Sequence, residues 1–251
     1  MRKAKRAGET FLNILYPRRC PVCHDIAVPR GQKICTRCRD KLIPVRGSRC
    51  CLCSKPLGTS DEEYCSDCRR IKHHFKRGIG IFPYTSVIQT SLYQLKYGQR
   101  QEYGLFYGEI AALYAKKEIQ QWKIQLLVPV PLHRKRQEKR GYNQAEILAE
   151  ALGKCLGIPV DAQSLYRKKN TKPQKELDPS ERRNNMRDAF SIRRKGAQRI
   201  SGKNLLLVDD IYTTGTTLDA AAQCLKKAGA GEVFFLTIAI GSDPQAGTSD
   251  R

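Results

Sequence analysis

The chain has 251 residues, 40% hydrophobic and 28% charged, long and apolar enough to bury a core, which excludes disorder throughout. It lacks any run of about 18 apolar residues, so no bilayer-spanning helix is expected; the Phe11–Tyr16 cluster is too short even for a secretory signal core, and a cytoplasmic location follows. Lys and Arg number 46 against 24 Asp and Glu, and the net charge of +22 predicts attraction to polyanions: nucleic acid, phosphorylated metabolites or anionic lipid.

In chain order, residues 1–17 set Lys3, Lys5 and Arg6 beside Phe11, Leu12, Ile14 and Leu15, the pattern of a basic amphipathic helix. Such a helix can rest at the cytoplasmic face of a membrane or pack on the module that follows. Residues 18–76 then hold most of the eleven cysteines. In a reducing compartment, close cysteine pairs point to metal rather than disulfides. Cys20-x2-Cys23 is followed after eleven residues by Cys35-x2-Cys38, and Cys50-x2-Cys53 after another eleven by Cys65-x2-Cys68. The pattern repeats with a period of 30; Arg19 and Arg49 precede equivalent cysteines, and Arg39 and Arg69 follow equivalent ones, as in an internal duplication. Each pair of knuckles offers four thiolates, the closed tetrahedral shell of a structural zinc. Two zinc ribbons are predicted, with Cys51, His24, His73 and His74 outside the shells and Cys155 and Cys224 in apolar helical patterns as core residues.

From residue 77 to 242 the pattern changes to alternating helices and strands. Helices are predicted over Val87–Tyr97, Tyr103–Ile119, Asn143–Leu156 and Leu218–Lys227, and strands over Leu126–Val130, Val160–Tyr166, Leu205–Val208 and Val233–Ile240. That alternation implies an α/β domain with a largely parallel sheet flanked by helices. The segment Arg167–Arg187 is dense in Lys and Arg and reads as a long mobile loop, a candidate lid, while 243–251 reads as a flexible tail.

The most informative stretch is Leu205-Leu206-Leu207-Val208-Asp209-Asp210-Ile211-Tyr212-Thr213-Thr214-Gly215-Thr216-Thr217. Two acids emerging from a buried strand, followed by a Thr/Gly turn feeding a helix, suit a sugar phosphate: hydroxyls on the acids, phosphate on the turn. Neither a G-x-x-x-x-G-K-[ST] loop nor a G-x-G-x-x-G turn competes. Upstream, the segment from Val128 to Gln144 reads as a basic loop after the strand and carries Arg134, Arg136 and Arg140, which could neutralise a pyrophosphate.

The 205–217 stretch resembles the signature of type I phosphoribosyltransferases. That resemblance implies binding of phosphoribosyl pyrophosphate (PRPP) with Mg²⁺: Asp209 and Asp210 on the ribose hydroxyls, Thr213, Thr214, Gly215, Thr216 and Thr217 on the 5-phosphate, Arg134 and Arg136 on the pyrophosphate, and Arg140 in a catalytic role beside the acids. Nearly the whole chain resembles the ComF family, through Phe11–Pro17, Leu95-Lys96-Tyr97, Lys139–Gln144, Thr171-x-Pro-Gln174, Arg182-x-x-Asn185 and Ala189-Phe190 as well as the signature. This second resemblance implies a double zinc ribbon joined to a phosphoribosyltransferase domain. It also implies a role in DNA uptake during natural transformation, beside an uptake helicase and other competence proteins and at or near the inner membrane.

Three functions are therefore in competition: a PRPP-binding accessory of DNA uptake that also binds single-stranded DNA, an active phosphoribosyltransferase, and a PRPP-sensing zinc-ribbon regulator. For the first, Tyr64, Phe75, Tyr84 and Tyr97 are candidate stacking side chains beside basic loops, with most of them expected in the core instead. No segment recognisable as a base-specificity pocket accompanies the signature.

Overall fold

A computed structural model describes residues 17–58, 62–169 and 188–242. The predicted N-terminal helix, the basic segment from residue 170 to 187 and the 243–251 tail lie outside the described residues.

The centre of the molecule is a four-stranded, all-parallel sheet in the order β1 (Gly78–Pro83), β6 (Val233–Ile240), β5 (Leu205–Tyr212), β2 (Leu126–Pro129). Both faces are covered, which explains why β2, β5 and β6 read as unbroken apolar runs rather than alternating ones. Leu206 and Val208 of β5 point into one layer with Leu236 and Ile238 of β6; Leu205 and Leu207 point into the other with Val233 and Phe235. The first layer is built by α2 (Ser86–Tyr97), α3 (Gln101–Gln121) and α5 (Gln144–Leu156). The second holds α7 (Thr216–Lys227) together with β3 (Leu165–Arg167) and β4 (Phe190–Ile192), a small antiparallel pair. Two short helices complete the domain, α4 (Arg134–Arg140) after β2 and α6 (Arg194–Ile200) before β5.

Local chemistry accounts for the ends of these elements. Thr85 caps α2 by accepting from the Ile88 amide, and Asn143 caps α5 by accepting from the Ala145 amide, with Gly157 left-handed at its end. The edge strand β1 was not predicted, because its Gly-Ile-Gly-Ile pattern is weak; Gly78 is there because a Cβ would lie 2.1 Å from the Phe235 ring.

Several sequence expectations are corrected. Only Leu165 and Tyr166 of the predicted Val160–Tyr166 strand are regular, in a strand that runs on to Arg167; Val160 makes a single bridge to Leu127. The strand predicted to end at Val208 runs on to Tyr212, because Asp209, Ile211 and Tyr212 stay in register with Thr237, Ala239 and Ile240. Cys155 is exposed and so is not a core residue, while Cys224 is half-buried.

The duplicated cysteine segments fold alike, and the second ends in the one-turn helix α1 (Ser66–Arg70). Arg19 bridges Ile26 as Arg49 bridges Pro56, and the amides of His24 and Ser54 each donate to the carbonyl of the first knuckle cysteine, Cys20 and Cys50. Both turn residues are left-handed, with φ of 64° and 69°. The two copies nevertheless enter different layers. Cys20, Cys35 and Cys38 join the core of α2, α3 and α5, whereas Cys50, Cys53, Cys65 and Cys68 join the layer of α7 and Tyr212.

Candidate functional site

The site lies at the carboxyl end of the sheet, where β5 gives way to α7. Asp209 and Asp210 are inside β5 rather than beyond it, and alternation along the strand sends them apart. Asp210 is almost fully buried, paired with the Lys96 ammonium at the end of α2 and accepting from Gln144 Nε2 at 3.2 Å. Burial opposes its ionisation, but the Lys96 charge and these hydrogen bonds outweigh that and hold its carboxyl below the ordinary value. Asp209 lies close enough to Arg167 of β3 for the two charges to interact, and it accepts the Asp210 amide at 2.8 Å. Burial, then the neighbouring Asp210 charge, push the Asp209 carboxyl well above its ordinary value. Burial and the nearby Arg136 charge lower the Arg167 guanidinium to about 10.

Downstream, Thr213–Thr217 form the turn into α7. Gly215, at φ 76°, is the N-cap, and no side chain caps the first amides of the helix. The Thr214 and Thr216 hydroxyls share a hydrogen bond of 2.9 Å. A Cβ on Gly215 would sit 2.5 Å from the buried Tyr212 hydroxyl, and the Tyr212 ring stacks on Phe235 at 4.9 Å. The amides of this turn therefore face an open helix N-terminus held by a rigid aromatic floor.

The cationic segment after β2 is a helix, α4, not the expected loop: His133 caps it by accepting from the Lys135 amide, and Gly141 ends it in the left-handed conformation. Helical geometry divides its arginines. Arg140 bonds Gln144 and lies 5.1 Å from the Tyr97 ring centroid, so it joins the Asp210 side. Arg136 joins the Arg167 and Asp209 side. Arg134 is turned to solvent and paired with Glu138 at 2.7 Å, so it is not brought to the acids.

Lys96, Gln144 and Arg167 are the residues sequence reasoning missed. Lys96 and Gln144 stand within segments that carried the ComF resemblance, which was the available signal; nothing local marks Arg167.

The cysteines form two groups, Cys20, Cys23, Cys35 and Cys38, and Cys50, Cys53, Cys65 and Cys68, each with its sulfurs within 4.8 Å of one another. Tetrahedral zinc with bonds of about 2.3 Å would hold sulfurs roughly 3.8 Å apart. Cys23 and Cys35 are separated by 3.8 Å and Cys53 and Cys65 by 3.6 Å, so the donor sets fit. Backbone amides of Val22 and Val28 point at Cys20 and Cys35 sulfurs, as expected around thiolates. Cys51 is exposed and outside its group, which assigns the fourth position to Cys50. His24 meets the Tyr103 hydroxyl and His74 meets Asp219, both away from the sulfurs.

Comparison with known proteins agrees with this geometry. Residues 11–69 match the Double zinc ribbon domain family and residues 109–250 the Phosphoribosyl transferase domain family. The class is a phosphoribosyltransferase-type domain carrying a double zinc ribbon, and two structural zinc ions are the metals its cysteines suit. Competence protein ComFC of Bacillus subtilis is 32% identical over 205 residues, covering 79% of this chain and 80% of that protein. Competence protein F of Haemophilus influenzae is 29% identical over 218 residues, covering 79% and 93%. DNA utilization protein YhgH of Salmonella typhi is 28% identical over 227 residues, covering 86% and 94%. The chain belongs to the ComF family.

Proposed function

We propose that the protein binds Mg-PRPP at the β5–α7 turn and serves DNA uptake as a component that also binds single-stranded DNA. The observation that supports this most directly is the junction of a buried and a half-buried carboxylate with an uncapped Thr/Gly turn at the carboxyl end of a parallel sheet. Asp209 and Asp210 accept the ribose hydroxyls, and the amides and hydroxyls of Thr213, Thr214, Gly215, Thr216 and Thr217 take the 5-phosphate. Arg140 and Arg136, one on each side of the acids, take the pyrophosphate; Arg134 belongs to the outer electrostatic field. Hard carboxylate oxygens fit Mg²⁺, which when bound neutralises pyrophosphate charge. The DNA part of the reading rests on the net charge of +22 and on relatives named for competence and DNA utilization. A DNA-uptake helicase, other competence proteins and the inner-membrane surface are the partners this reading implies. Among the described residues no helix is long and apolar enough to cross a membrane.

A second reading, group transfer, is favoured by Arg140 and Arg136 standing on the two sides of the acids. When the ribose C1–O bond breaks, pyrophosphate departs with the electron pair and a nitrogen nucleophile bonds to C1, cations so placed take up the charge that develops on the leaving group. Calorimetric titration of Mg-PRPP into the zinc-loaded protein tests the site. Saturable heat, weakened in Asp209→Asn, is expected; a flat titration of the folded wild type overturns it. Pyrophosphate release over a panel of bases and amines then decides whether transfer follows binding.

A further inference from the structure

The wet face of α2 holds two side chains that packing does not explain. Ile88, Ser91, Leu92 and Leu95 are buried toward the layer of α3, leaving the other face to solvent. On that face Tyr93 and Tyr97, one turn apart, are 58% and 63% exposed, with ring centroids 4.9 Å apart and planes tilted by 46°. Two large rings held together in water, with their faces left largely open among the described residues, are a stacking surface.

The pair is connected to the β5–α7 site residue by residue. The Arg140 guanidinium lies 5.1 Å from the Tyr97 centroid and bonds Gln144, which donates to Asp210. Lys96, next to Tyr97 in the chain, turns inward to Asp210 while Tyr97 turns outward. The neighbouring α4 carries Arg134, Lys135, Arg136, Lys139 and Arg140 over seven residues. Flat aromatic faces bordered by this density of positive charge match a strand whose bases are free to stack and whose phosphates are anionic. A duplex would keep its base faces covered.

We propose that Tyr93 and Tyr97 form a base-stacking ladder that receives single-stranded DNA and leads it to the edge of the PRPP site, where Arg140 joins the two. The proposal rests on the DNA-binding reading above and locates its surface.

The test is fluorescence anisotropy of a labelled oligothymidylate against the zinc-loaded wild type, Tyr93→Ala/Tyr97→Ala and Tyr93→Phe/Tyr97→Phe, at several salt concentrations, with Mg-PRPP calorimetry on each protein. The alanine pair is expected to weaken DNA binding about tenfold or more per stacked base lost, with the salt slope unchanged because no cation is removed. The phenylalanine pair should bind like wild type, and all three should retain the PRPP heat. Wild-type affinity in the alanine pair overturns the ladder. No DNA binding by wild type at low salt overturns both the ladder and the DNA reading, whether or not PRPP binds. A flat PRPP titration beside DNA binding that the alanine pair loses upholds the ladder and overturns the PRPP site. Displacement of the oligonucleotide by free thymine at equal base concentration overturns the strand as occupant and points to a small base instead.

Discussion

Lys96, in the last turn of α2, neutralises Asp210, in the second half of β5, and both side chains are withdrawn from water. The pair fixes a helix from the amino-terminal part of the domain onto the strand that carries the site. Lys96→Met would leave a carboxylate buried without its cation, and a cost of about 3–5 kcal/mol is expected in urea unfolding. Adding Asp210→Asn should recover part of that loss; an unaltered unfolding midpoint in Lys96→Met would show that the pair does not bear on stability.

The same pair sets a pH window. Asp210 titrates below its ordinary value, so its contribution is present above about pH 4 and is lost as pH falls through the lowered value. Lys96 titrates above its ordinary 10.5: burial opposes its charge, but Asp210 outweighs it, so that contribution is lost only as pH rises through the raised value. Thermal melts should therefore show this stabilisation throughout the neutral range, and Asp210→Asn should remove the acid limb. An unchanged acid limb in Asp210→Asn would refute the assignment.

Asp209 behaves in the opposite sense. Its raised value means that the stability contributed by the protonated form is present below the ordinary carboxylate range and is lost as pH rises through the raised value, so above that transition the ionised group counts against the fold. Asp209→Asn is expected to melt higher than wild type above that transition while binding PRPP roughly ten- to a hundredfold more weakly, the loss of a charge-assisted hydrogen bond worth about 1.5–3 kcal/mol. A variant that melts lower at every pH would contradict the buried-charge argument.

Gly215→Ala meets two obstacles, a left-handed backbone and the Tyr212 hydroxyl 2.5 Å from the new methyl. About 1–3 kcal/mol of destabilisation is expected with loss of the PRPP heat. Removing the hydroxyl in Tyr212→Phe should rescue little, because the ring carbon that bore it would still be 2.8 Å away. Full rescue by that second change would locate the problem in the hydroxyl alone.

The ribbons should differ in what they support. Removing zinc is expected to cost on the order of 10 kcal/mol per site in its own ribbon. Cys20→Ser loosens the copy whose Cys20 carbonyl accepts from Tyr103 of α3. Cys50→Ser loosens the copy that packs with Tyr212, beside the Thr213–Thr217 turn. PRPP affinity should fall further in Cys50→Ser than in Cys20→Ser, with zinc content measured on each; equal losses would mean that Tyr212 transmits nothing.

Much of this was legible in the sequence because the relevant groups are close along the chain. The cysteine knuckles recur at a fixed period, and the acids and the Thr/Gly turn occupy one continuous segment, so spacing alone displayed their chemistry. Lys96 and Arg167 could not be read that way, since each meets its aspartate only after the chain has wound through several strands and helices. The arginines after β2 were misread for a related reason. A run of cations looks like a loop until His133 and Gly141 are recognised as helix ends, and only the helix determines which arginine faces the acids. The edge strand β1 hid because its glycines answer to Phe235 and Ile240 on β6, not to any pattern of its own.

The duplicated ribbons share a backbone yet pack into the layers on opposite faces of one sheet. Symmetry within the repeat thus ends at its outer surface, where one copy has been shaped to α3 and the other to Tyr212 and α7. The copies are not spares for each other. A chain shortened by thirty residues, whichever repeat was lost, would still own an intact ribbon but would lose either the packing on Tyr103 of α3 or the packing on Tyr212.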